Sequence, residues 1–448
     1  MALGLLAENI SGERRAALSP DAAKRLIGDG HALFVEAGAG VPSGFADADF
    51  AAAGCEVLPR AEVLLKAEVL FAIHPPSRDF HLLSGKVLVS WVGRLTDSGR
   101  ELVERARAAG VTLLDVASVP RTTAAQGLDA LSSQAKVAGH RAVIEAAYVF
   151  DRFQAADMSA AGKYPPSQTF VLGCGIAGLS AIATSRSLGS VVRAWDVRDV
   201  SEQCHSMGAK WVSVDFNEAG SSSGVYATES SAEFLQAQRA AFAKILGEVD
   251  IVIATAGVPG KPSPLLITRE AVAGMRPGSV IVDLAAASGG NCELTRRDEV
   301  FTTANGVTVV GYSNLPSRMA RQASCMYAHN MCNLVRHIAG KGKAAALLPS
   351  LRAHLRDSQD GAKASDLVMR SIACCNEGRS VDALEPSQPS PSKPSTPPQP
   401  PDSAQDKKVK KDDDAGLVGT AVFGALLAVA AFSCAFWLGS LGRRHRPP

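Results

Sequence analysis

Three glycines that follow a short apolar run constrain the fold of this chain more than any other feature. Gly173, Gly175 and Gly178 have the spacing G-x-G-x-x-G between the apolar run Gln168–Leu172 and a helical run that starts at Ile176. In this spacing the first glycine permits a tight turn, the second lets the backbone approach a pyrophosphate, and the third allows helix and strand to pack closely. The sequence therefore predicts a strand, a turn and a helix that bind a dinucleotide at the helix N-terminus.

A second apolar run, residues 190–195, ends at Asp196, about 20 residues beyond the glycines. A carboxylate at this position accepts hydrogen bonds from the adenosine ribose hydroxyls and repels a 2′-phosphate. We therefore expect NAD(H) rather than NADP(H) at this site. Arg198 leaves an alternative open, because an arginine two residues beyond the acid can instead pair with a 2′-phosphate. A glycine turn of an α/β protein that binds no cofactor is the other alternative.

Length and composition limit the remaining possibilities. The chain has 448 residues, of which 46% are hydrophobic and 20% charged, and this fits two or three domains with large buried cores. Its formal net charge of +2 gives no indication of a nucleic-acid partner. The nine cysteines lack the C-x-x-C spacing of zinc sites, so we expect free thiols and no metal site.

Strand and helix patterns alternate along the first part of the chain. Short apolar runs before and after the glycine turn indicate strands, and amphipathic stretches between them indicate helices. We expect an α/β fold of two Rossmann-like, doubly wound parallel-sheet domains with a cleft between them. The domains are residues 1–130, completed by residues 315–382, and residues 131–314, with a long helix over residues 128–153 that crosses between them. Residues 3–6 already resemble a first strand, so no signal or transit peptide is expected.

Two changes in composition mark the C-terminal part. Residues 383–414 are rich in proline, serine and charge, a composition that forms an extended, disordered linker. Residues 415–442 carry no charge, and at about 1.5 Å per residue they are long enough to span a bilayer of about 30 Å. We expect one transmembrane helix that anchors the protein in a membrane; a buried core helix is the alternative. Basic residues flank both ends of this span, so its orientation stays open.

Several motifs together resemble one known family. They are residues 8–20, residues 118–147, the glycine turn, residues 259–262 and residues 278–293. These motifs are similar to those of the NAD(H)-binding domain of the proton-translocating NAD(P) transhydrogenase alpha subunit, and alanine dehydrogenases share this fold. The likeness extends over residues 1–380.

The resemblance implies an activity that needs more than this chain. In the family, this domain holds NADH while a hydride passes to NADP⁺ on a separate domain, and membrane helices couple the Re/Si-specific transfer to proton movement. We therefore expect NADP(H)-binding and proton-conducting partner domains or subunits, and a homodimer of the soluble part. The membrane would be a bacterial plasma membrane or an organellar inner membrane, with the soluble domains on the NADH-containing side.

A polar loop with the candidate catalytic residues Arg121, Gln126, Asp129 and Ser132 agrees in type and spacing with the family loop that surrounds the nicotinamide. Hydride transfer between two nicotinamides needs no protein acid or base; it needs the rings held about 3 to 3.5 Å apart with water excluded. The Gln126 amide can bridge both cofactors, and Asp129 and Ser132 can hold the carboxamide. Arg121 can fix the loop or a phosphate. The alternative is an ordinary helix N-terminus that Asp129 and Ser132 cap.

The candidate cofactor-binding residues surround the glycine turn and follow later strands. Tyr226 lies in a glycine- and serine-rich stretch where the family has a mobile loop that closes over nucleotide; a passive surface loop is the alternative. Asp283 and Asn291 flank a Gly-Gly turn at the carboxyl edge of the sheet, where open sheets bind ligands, and core hydrogen bonding is the alternative. The full set is Gly173, Gly175, Ile176, Ala177, Gly178, Asp196, Val197, Arg198, Tyr226, Thr255, Ala256, Gly257 and Asp283.

Alanine dehydrogenases handle their substrate with an arginine, a lysine, a histidine acid/base and an aspartate. Arg15 matches the arginine, but the other positions fall on Ala72, Gly93 and Ala287. Without a titratable group, amino-acid oxidation loses a factor of roughly 10² to 10⁴, which disfavours a dehydrogenase. Ala72 also replaces a lysine of the transhydrogenase pattern. A catalytically silent, membrane-tethered NAD(H) sensor is therefore a third hypothesis.

Overall fold

The computed structural model of this chain describes residues 1–76, 80–214, 232–257, 260–359, 366–377 and 379–381. The expected linker over residues 383–414, the expected membrane span over residues 415–442 and Tyr226 lie outside the described residues. Within these ranges, no helix has the length and apolar character that crossing a membrane requires.

Short strands form the framework of both halves of the described chain. The central strands of the two large sheets are rich in valine, isoleucine and leucine and buried on both faces, which is typical of parallel sheets covered by helices. The strands are β1 (Ala2–Leu5), β2 (Ala32–Glu36), β3 (Glu56–Leu58), β4 (Val69–Phe71), β5 (Val87–Ser90), β6 (Thr112–Asp115), β7 (Asp157–Ser159), β8 (Gly162–Tyr164), β9 (Gln168–Leu172), β10 (Val191–Trp195), β11 (Lys210–Trp211), β12 (Ile251–Ala254), β13 (Val280–Asp283), β14 (Val300–Thr302), β15 (Thr308–Val310), β16 (Ala373–Asn376) and β17 (Arg379–Ser380).

Helices connect these strands, and several begin at a side chain that accepts a hydrogen bond from the first turn. Ser19 accepts from the backbone N–H of Ala22, and Thr96 accepts from that of Gly99. The helices are α1 (Pro20–Gly28), α2 (Asp47–Ala52), α3 (Arg60–Lys66), α4 (Asp97–Ala108), α5 (Ala130–Val149), α6 (Ile176–Ser187), α7 (Ser201–Ser206), α8 (Ala232–Leu246), α9 (Arg269–Ala273), α10 (Ala320–Ala339), α11 (Leu347–Gln359) and α12 (Leu367–Ile372).

The first sheet has the strand order β17-β16-β6-β5-β4-β1-β2-β3. Strands β1 to β6 are parallel, and their order is that of a doubly wound Rossmann sheet. The last two strands come from the far end of the described chain: β16 pairs with β6 in the antiparallel direction, and β17 pairs with β16 as a hairpin. The topological switch point of this sheet lies between β1 and β4.

The second sheet has the strand order β11-β10-β9-β12-β13-β15-β14. Its strands are parallel except β14, which pairs with β15 in the antiparallel direction. The switch point lies between β9 and β12, so the two sheets share one organisation. This confirms the predicted α/β fold with two Rossmann-like parallel sheets.

Two 20-residue helices connect the two halves. The sequence predicts a helix over residues 128–153, and the structure has α5, which begins later because a 3-10 turn, Thr123–Leu128, precedes it. α5 contributes Ala142 and Ala146 to the core beneath the second sheet. α10 instead contributes Tyr327 and other apolar residues to the core of the first sheet.

Candidate functional site

The glycine turn joins β9 to α6 at the switch point of the second sheet. Gly173 has a φ of +89°, which residues with a side chain rarely adopt, and its N–H donates to the carbonyl of Trp195 at 2.8 Å. Gly175 lies at the N-cap of α6, and nothing stands within 4 Å of the point where a Cβ would be. The backbone at Gly175 is exposed, as the close approach of a pyrophosphate requires.

Close packing around this turn depends on two further glycines. A Cβ on Gly178 would lie 1.9 Å from the carbonyl oxygen of the first glycine of the turn. A Cβ on Gly139 of α5 would lie 1.9 Å from the carbonyl oxygen of Ala177. Ser180 reinforces this second contact, because its hydroxyl donates to the carbonyl of Lys136 at 2.8 Å. Helix α5 therefore packs directly against the first turns of α6.

Asp196 follows β10 and contacts the glycine turn. Its Oδ2 accepts from the backbone N–H of Cys174 at 2.7 Å, while Arg198 donates from Nε to Oδ1 and from Nη2 to Oδ2, both at 3.0 Å. Burial by itself would raise the pKa of Asp196, but the hydrogen bonds from Arg198 and from backbone N–H groups outweigh burial and lower the pKa. A further hydrogen-bond donor to this carboxylate must therefore replace part of its contact with Arg198.

The other candidates lie around the same edge of the sheet. Ile176 and Val197 are apolar yet 38% and 44% exposed, so they flank the open turn. Thr255 follows β12, and its hydroxyl donates to the carbonyl of the first glycine of the turn at 2.8 Å. Ala256 and the exposed Gly257 continue this segment. The carboxyl ends of β9, β10 and β12 thus meet at the glycine turn.

Asp283, in contrast, is completely buried at the end of β13. Its oxygens accept from the backbone N–H groups of Ala285 and Asn291, at 2.9 and 2.7 Å, and from the Thr295 hydroxyl at 2.6 Å. Burial raises the pKa of this carboxyl. Asn291 donates its Nδ2–H to the carbonyl of Ala256 at 2.8 Å. These contacts hold the loop after β13 in place, which is the core hydrogen-bonding role given above as the alternative.

Asp129 and Ser132 form the N-terminal cap of α5. One Asp129 oxygen accepts from the backbone N–H of Ser132 at 2.8 Å, and the other accepts from the Ser132 hydroxyl. Asp129 is buried by this arrangement. The structure therefore shows the capping role for both residues, and their role toward a nicotinamide stays a prediction.

Arg121 and Gln126 are exposed in the segment before α5. Gln126 belongs to the 3-10 turn Thr123–Leu128, and its backbone carbonyl accepts from the N–H of Asp129 at 3.3 Å. The side-chain amide predicted to bridge two cofactors is thus accessible from solvent.

Two residues form hydrogen bonds to this loop that no pattern in the local sequence predicts. Asn330 and Asn333 of α10 donate their Nδ2–H groups to the carbonyl of Gly127 at 2.9 and 3.0 Å. They lie 203 and 206 residues from Gly127 in the chain, so no motif spacing connects them to the loop.

A buried polar cluster occupies the switch point of the first sheet. Arg15 donates to Glu13 from Nε at 2.8 Å and from Nη2 at 2.7 Å, and to Gln134 from Nη1 at 3.0 Å. Glu13 also accepts from Asn314 Nδ2 at 2.9 Å and lies 3.0 Å from His74 Nε2. Burial by itself would raise the pKa of Glu13, but hydrogen bonds from Arg15 and His74 hold it well below its usual range. The arginine of the dehydrogenase set is therefore engaged by the protein's own side chains.

The structure shows where the three remaining dehydrogenase positions lie. Ala72 is 2% exposed and lies within the apolar core, so the side chain at this position does not face the cluster. His74, two residues later, contacts Glu13 through its ring nitrogen Nε2. Gly93 has a φ of +67° and Ala287 is exposed, and neither carries a titratable side chain.

Glu8 adds a second carboxyl to the cluster. It accepts from the backbone N–H of Ile73 at 2.5 Å and from that of His74 at 3.1 Å. Burial raises the pKa of Glu8 to about 7, against the opposing effect of His74. Within this cluster, the Glu8 carboxyl therefore changes its charge near neutral pH.

Among the described residues, no group of three or more His, Cys, Asp and Glu side chains is placed to hold a metal ion. The eight cysteines in this part of the chain are free thiols. Burial raises the pKa of Cys55 and Cys292 to about 11, which makes these thiols unreactive at neutral pH.

The fold and the glycine turn together define a Rossmann-type α/β protein with two parallel sheets. The chain matches two family models, "Alanine dehydrogenase/PNT, N-terminal domain" over residues 4–138 and "Alanine dehydrogenase/PNT, C-terminal domain" over residues 142–356. The chain belongs to this family, and within it to the NAD(P) transhydrogenase alpha subunits.

Two relatives illustrate the extent of the similarity. The NAD(P) transhydrogenase subunit alpha of Cereibacter sphaeroides is 45% identical over 76% of this chain, and the alignment covers 66% of that subunit. The corresponding subunit of Haemophilus influenzae is 37% identical over 92% of this chain and 78% of that subunit. The chain thus spans about two thirds to about four fifths of the length of these subunits.

A solved structure gives the same result. The transhydrogenase from Sinorhizobium meliloti superposes with a TM-score of 0.73 and is 35% identical, covering 85% of this chain and 99% of that one.

Proposed function

We propose that this chain is the NAD(H)-binding part of a proton-translocating NAD(P) transhydrogenase. It would hold NADH at the switch point of the second sheet and pass the hydride to NADP⁺ on a separate domain or subunit. The open backbone at Gly175, at the N-terminus of a 12-residue helix, carries this proposal. The similarity to NAD(P) transhydrogenase alpha subunits supports it.

The side chains around the turn fit a dinucleotide. The N-terminal end of α6 attracts phosphate groups, and Gly175 leaves room for them. Asp196 would bind the adenosine ribose, and Arg198 would give up some of its hydrogen bonds to this carboxylate. The exposed Ile176 and Val197 would pack against the adenosine, and this contact would remove their apolar surface from water.

The polar loop would position the reaction. Bound NADH supplies the hydride, so the protein supplies orientation and exclusion of water rather than an acid or a base. Gln126 presents an amide that can donate and accept at once. Asp129 and Ser132 would hold the nicotinamide carboxamide at the N-terminus of α5, and Arg121 would fix the loop or a phosphate.

The rest of the enzyme lies in partner subunits in this proposal. They would bind NADP(H) and conduct protons, and residues 415–442 would anchor this chain beside them in the membrane. A homodimer of the soluble part and Re/Si-specific transfer complete the proposed assembly.

The test combines the full chain with NADH, NADP⁺ and an NADP(H)-binding transhydrogenase domain. We expect NADPH to form only when both proteins are present, with chromatography to separate NADPH from NADH. Calorimetry of the full chain with NADH alone runs in parallel. Binding without transfer would favour the membrane-tethered sensor, and a chain that does not bind NADH would refute the proposal.

One observation favours an amino-acid dehydrogenase instead, because His74 lies beside the Glu13–Arg15 pair. Against this, Arg15 already donates to Glu13 and Gln134, which leaves it less capacity for a substrate carboxylate. We expect no NADH formation from alanine and NAD⁺ at alkaline pH. Steady NADH production from alanine would restore the dehydrogenase hypothesis.

A further inference from the structure

Helix α10 holds the polar loop before α5 through one carbonyl group. Asn330 and Asn333, separated by about one helical turn, both donate Nδ2–H groups to the carbonyl oxygen of Gly127. Gly127 directly follows Gln126 in the chain. Two amide donors restrict this carbonyl more than exchangeable water would.

The amide of Asn330 is fixed at both of its ends. Its Nδ2 donates to Gly127, and its Oδ1 accepts from the Ser133 hydroxyl at 2.8 Å. Asn330 is 5% exposed, so its contacts are largely shielded from water. Asn333 is only half-buried, and a change of its side chain therefore disturbs the core less.

The backbone is thus held on both sides of the Gln126 side chain. The carbonyl of Gln126 accepts from the N–H of Asp129, whose side chain caps α5, and the next carbonyl accepts from α10. The Gln126 side chain itself is exposed. The loop presents an exposed amide on a backbone that these hydrogen bonds restrain.

We propose that Asn330 and Asn333 are positioning residues for hydride transfer. Their hydrogen bonds to the carbonyl of Gly127 fix the backbone next to Gln126, and the Gln126 amide reaches both nicotinamides from this backbone. This inference rests on the proposed function. Misplacement of a positioned group by about 1 Å costs as much as about 10²-fold in rate. The two asparagines would act on the rate of transfer and not on the affinity for NADH, since they contact neither α6 nor the glycine turn in any described hydrogen bond.

The test uses the full chain with an NADP(H)-binding transhydrogenase domain and compares N333A and N333D. N333D keeps the size of the side chain but removes the N–H donor, so it separates hydrogen bonding from packing. We expect both variants to lower kcat at saturating NADH about tenfold while the Kd for NADH stays within about twofold. N305A is the matched control, because Asn305 also donates to backbone carbonyls, those of Val272 and Ala273, in another part of the fold.

A double-mutant cycle with Q126A identifies the route of the effect. If the asparagines act through Gln126, N333D should change kcat less than about twofold once Gln126 is alanine. Fully additive losses, or an N333D kcat equal to that of the unmutated chain, would overturn this inference and leave the proposed function standing. An unmutated chain that binds NADH but transfers no hydride would overturn both.

Discussion

The two sheets share a strand order but differ in what they place at their switch points. At the first, the loops after β1 and β4 bring together charged and titratable side chains that contact one another and neighbouring backbone: Glu8, Glu13, Arg15 and His74. At the second, the loops after β9 and β12 bring mainly backbone, with an exposed Gly175. The same edge is therefore filled in one sheet and open in the other.

In this chain the two edges therefore differ in the side chains that follow the strands and not in strand order. The filled edge has a structural use of its own. Glu13 accepts from Asn314, which follows the second sheet in the chain, and the backbone N–H of Arg14 donates to the Ser317 hydroxyl at 2.6 Å. Hydrogen bonds at the first switch point thus connect the two halves of the described chain.

The largest expected effect comes from filling the open edge. No atom lies within 4 Å of the point where a Cβ on Gly175 would be. The fold should therefore tolerate the substitution Gly175→Val. The valine side chain would overlap with a pyrophosphate that approaches this backbone. Such overpacking costs about 3 kcal/mol, so NADH affinity should fall about 100-fold. Calorimetry measures the affinity. Gly28→Ala, at an exposed glycine that is also free of neighbours, is the control and should leave NADH affinity within about twofold.

In the polar loop, we expect a substitution to lower the rate of hydride transfer clearly and to change the affinity for NADH only slightly. Gln126→Ala should lower hydride transfer about 30-fold but change the Kd for NADH only a few-fold, because the loss falls on the positioning of two rings. The assay is transfer to NADP⁺ on an added NADP(H)-binding domain. An equal loss in affinity and rate would show that Gln126 serves general binding.

Cofactor choice tests the pair formed by Asp196 and Arg198. We expect the full chain to bind NADH at least about tenfold more tightly than NADPH, because the buried carboxylate repels a 2′-phosphate. Calorimetry with both nucleotides decides this. Equal affinities would mean that Arg198 sets the preference, and Arg198→Met should then weaken NADPH alone.

The last prediction concerns the filled edge and measures stability against pH in place of binding or rate. The pKa of Glu8 is about 7 in the folded chain and lies near 4.5 without burial, so between these values folding takes up a proton. The free energy of unfolding should therefore fall by up to about 3 kcal/mol as pH rises from 4.5 to 7. Glu8→Gln should flatten this dependence in urea unfolding at pH 5, 6 and 7. Identical slopes for both proteins would mean that Glu8 does not titrate in this range.

The parts of the site that sequence predicts well are local in the chain. Gly173 and Gly178 lie five residues apart, and their roles follow from backbone geometry that the spacing alone defines. The cap at Asp129 and Ser132 is equally local, and it was foreseen as the alternative to a cofactor role. Local rules, however, do not say which of two roles the same side chains serve.

The parts that sequence reasoning missed depend on distant residues. Asn314 and Asn330 meet partners about 300 and about 200 residues earlier in the chain, and no periodicity marks them. The strand β16 pairs with β6 although more than 250 residues separate them. The family pattern points to Ala72, but this side chain lies in the apolar core, and the side chain that contacts Glu13 belongs to His74.

The contact between Gly139 and Ala177 has a mechanical consequence. With no side chain between them, the backbones of α5 and α6 are in direct contact at this point, and the packing leaves little space for one helix to shift against the other. We therefore expect the two helices to move together. In the proposed function, the cap at Asp129 and the turn at Gly175 would then keep a constant separation, and they would hold the two ends of the dinucleotide at a fixed distance.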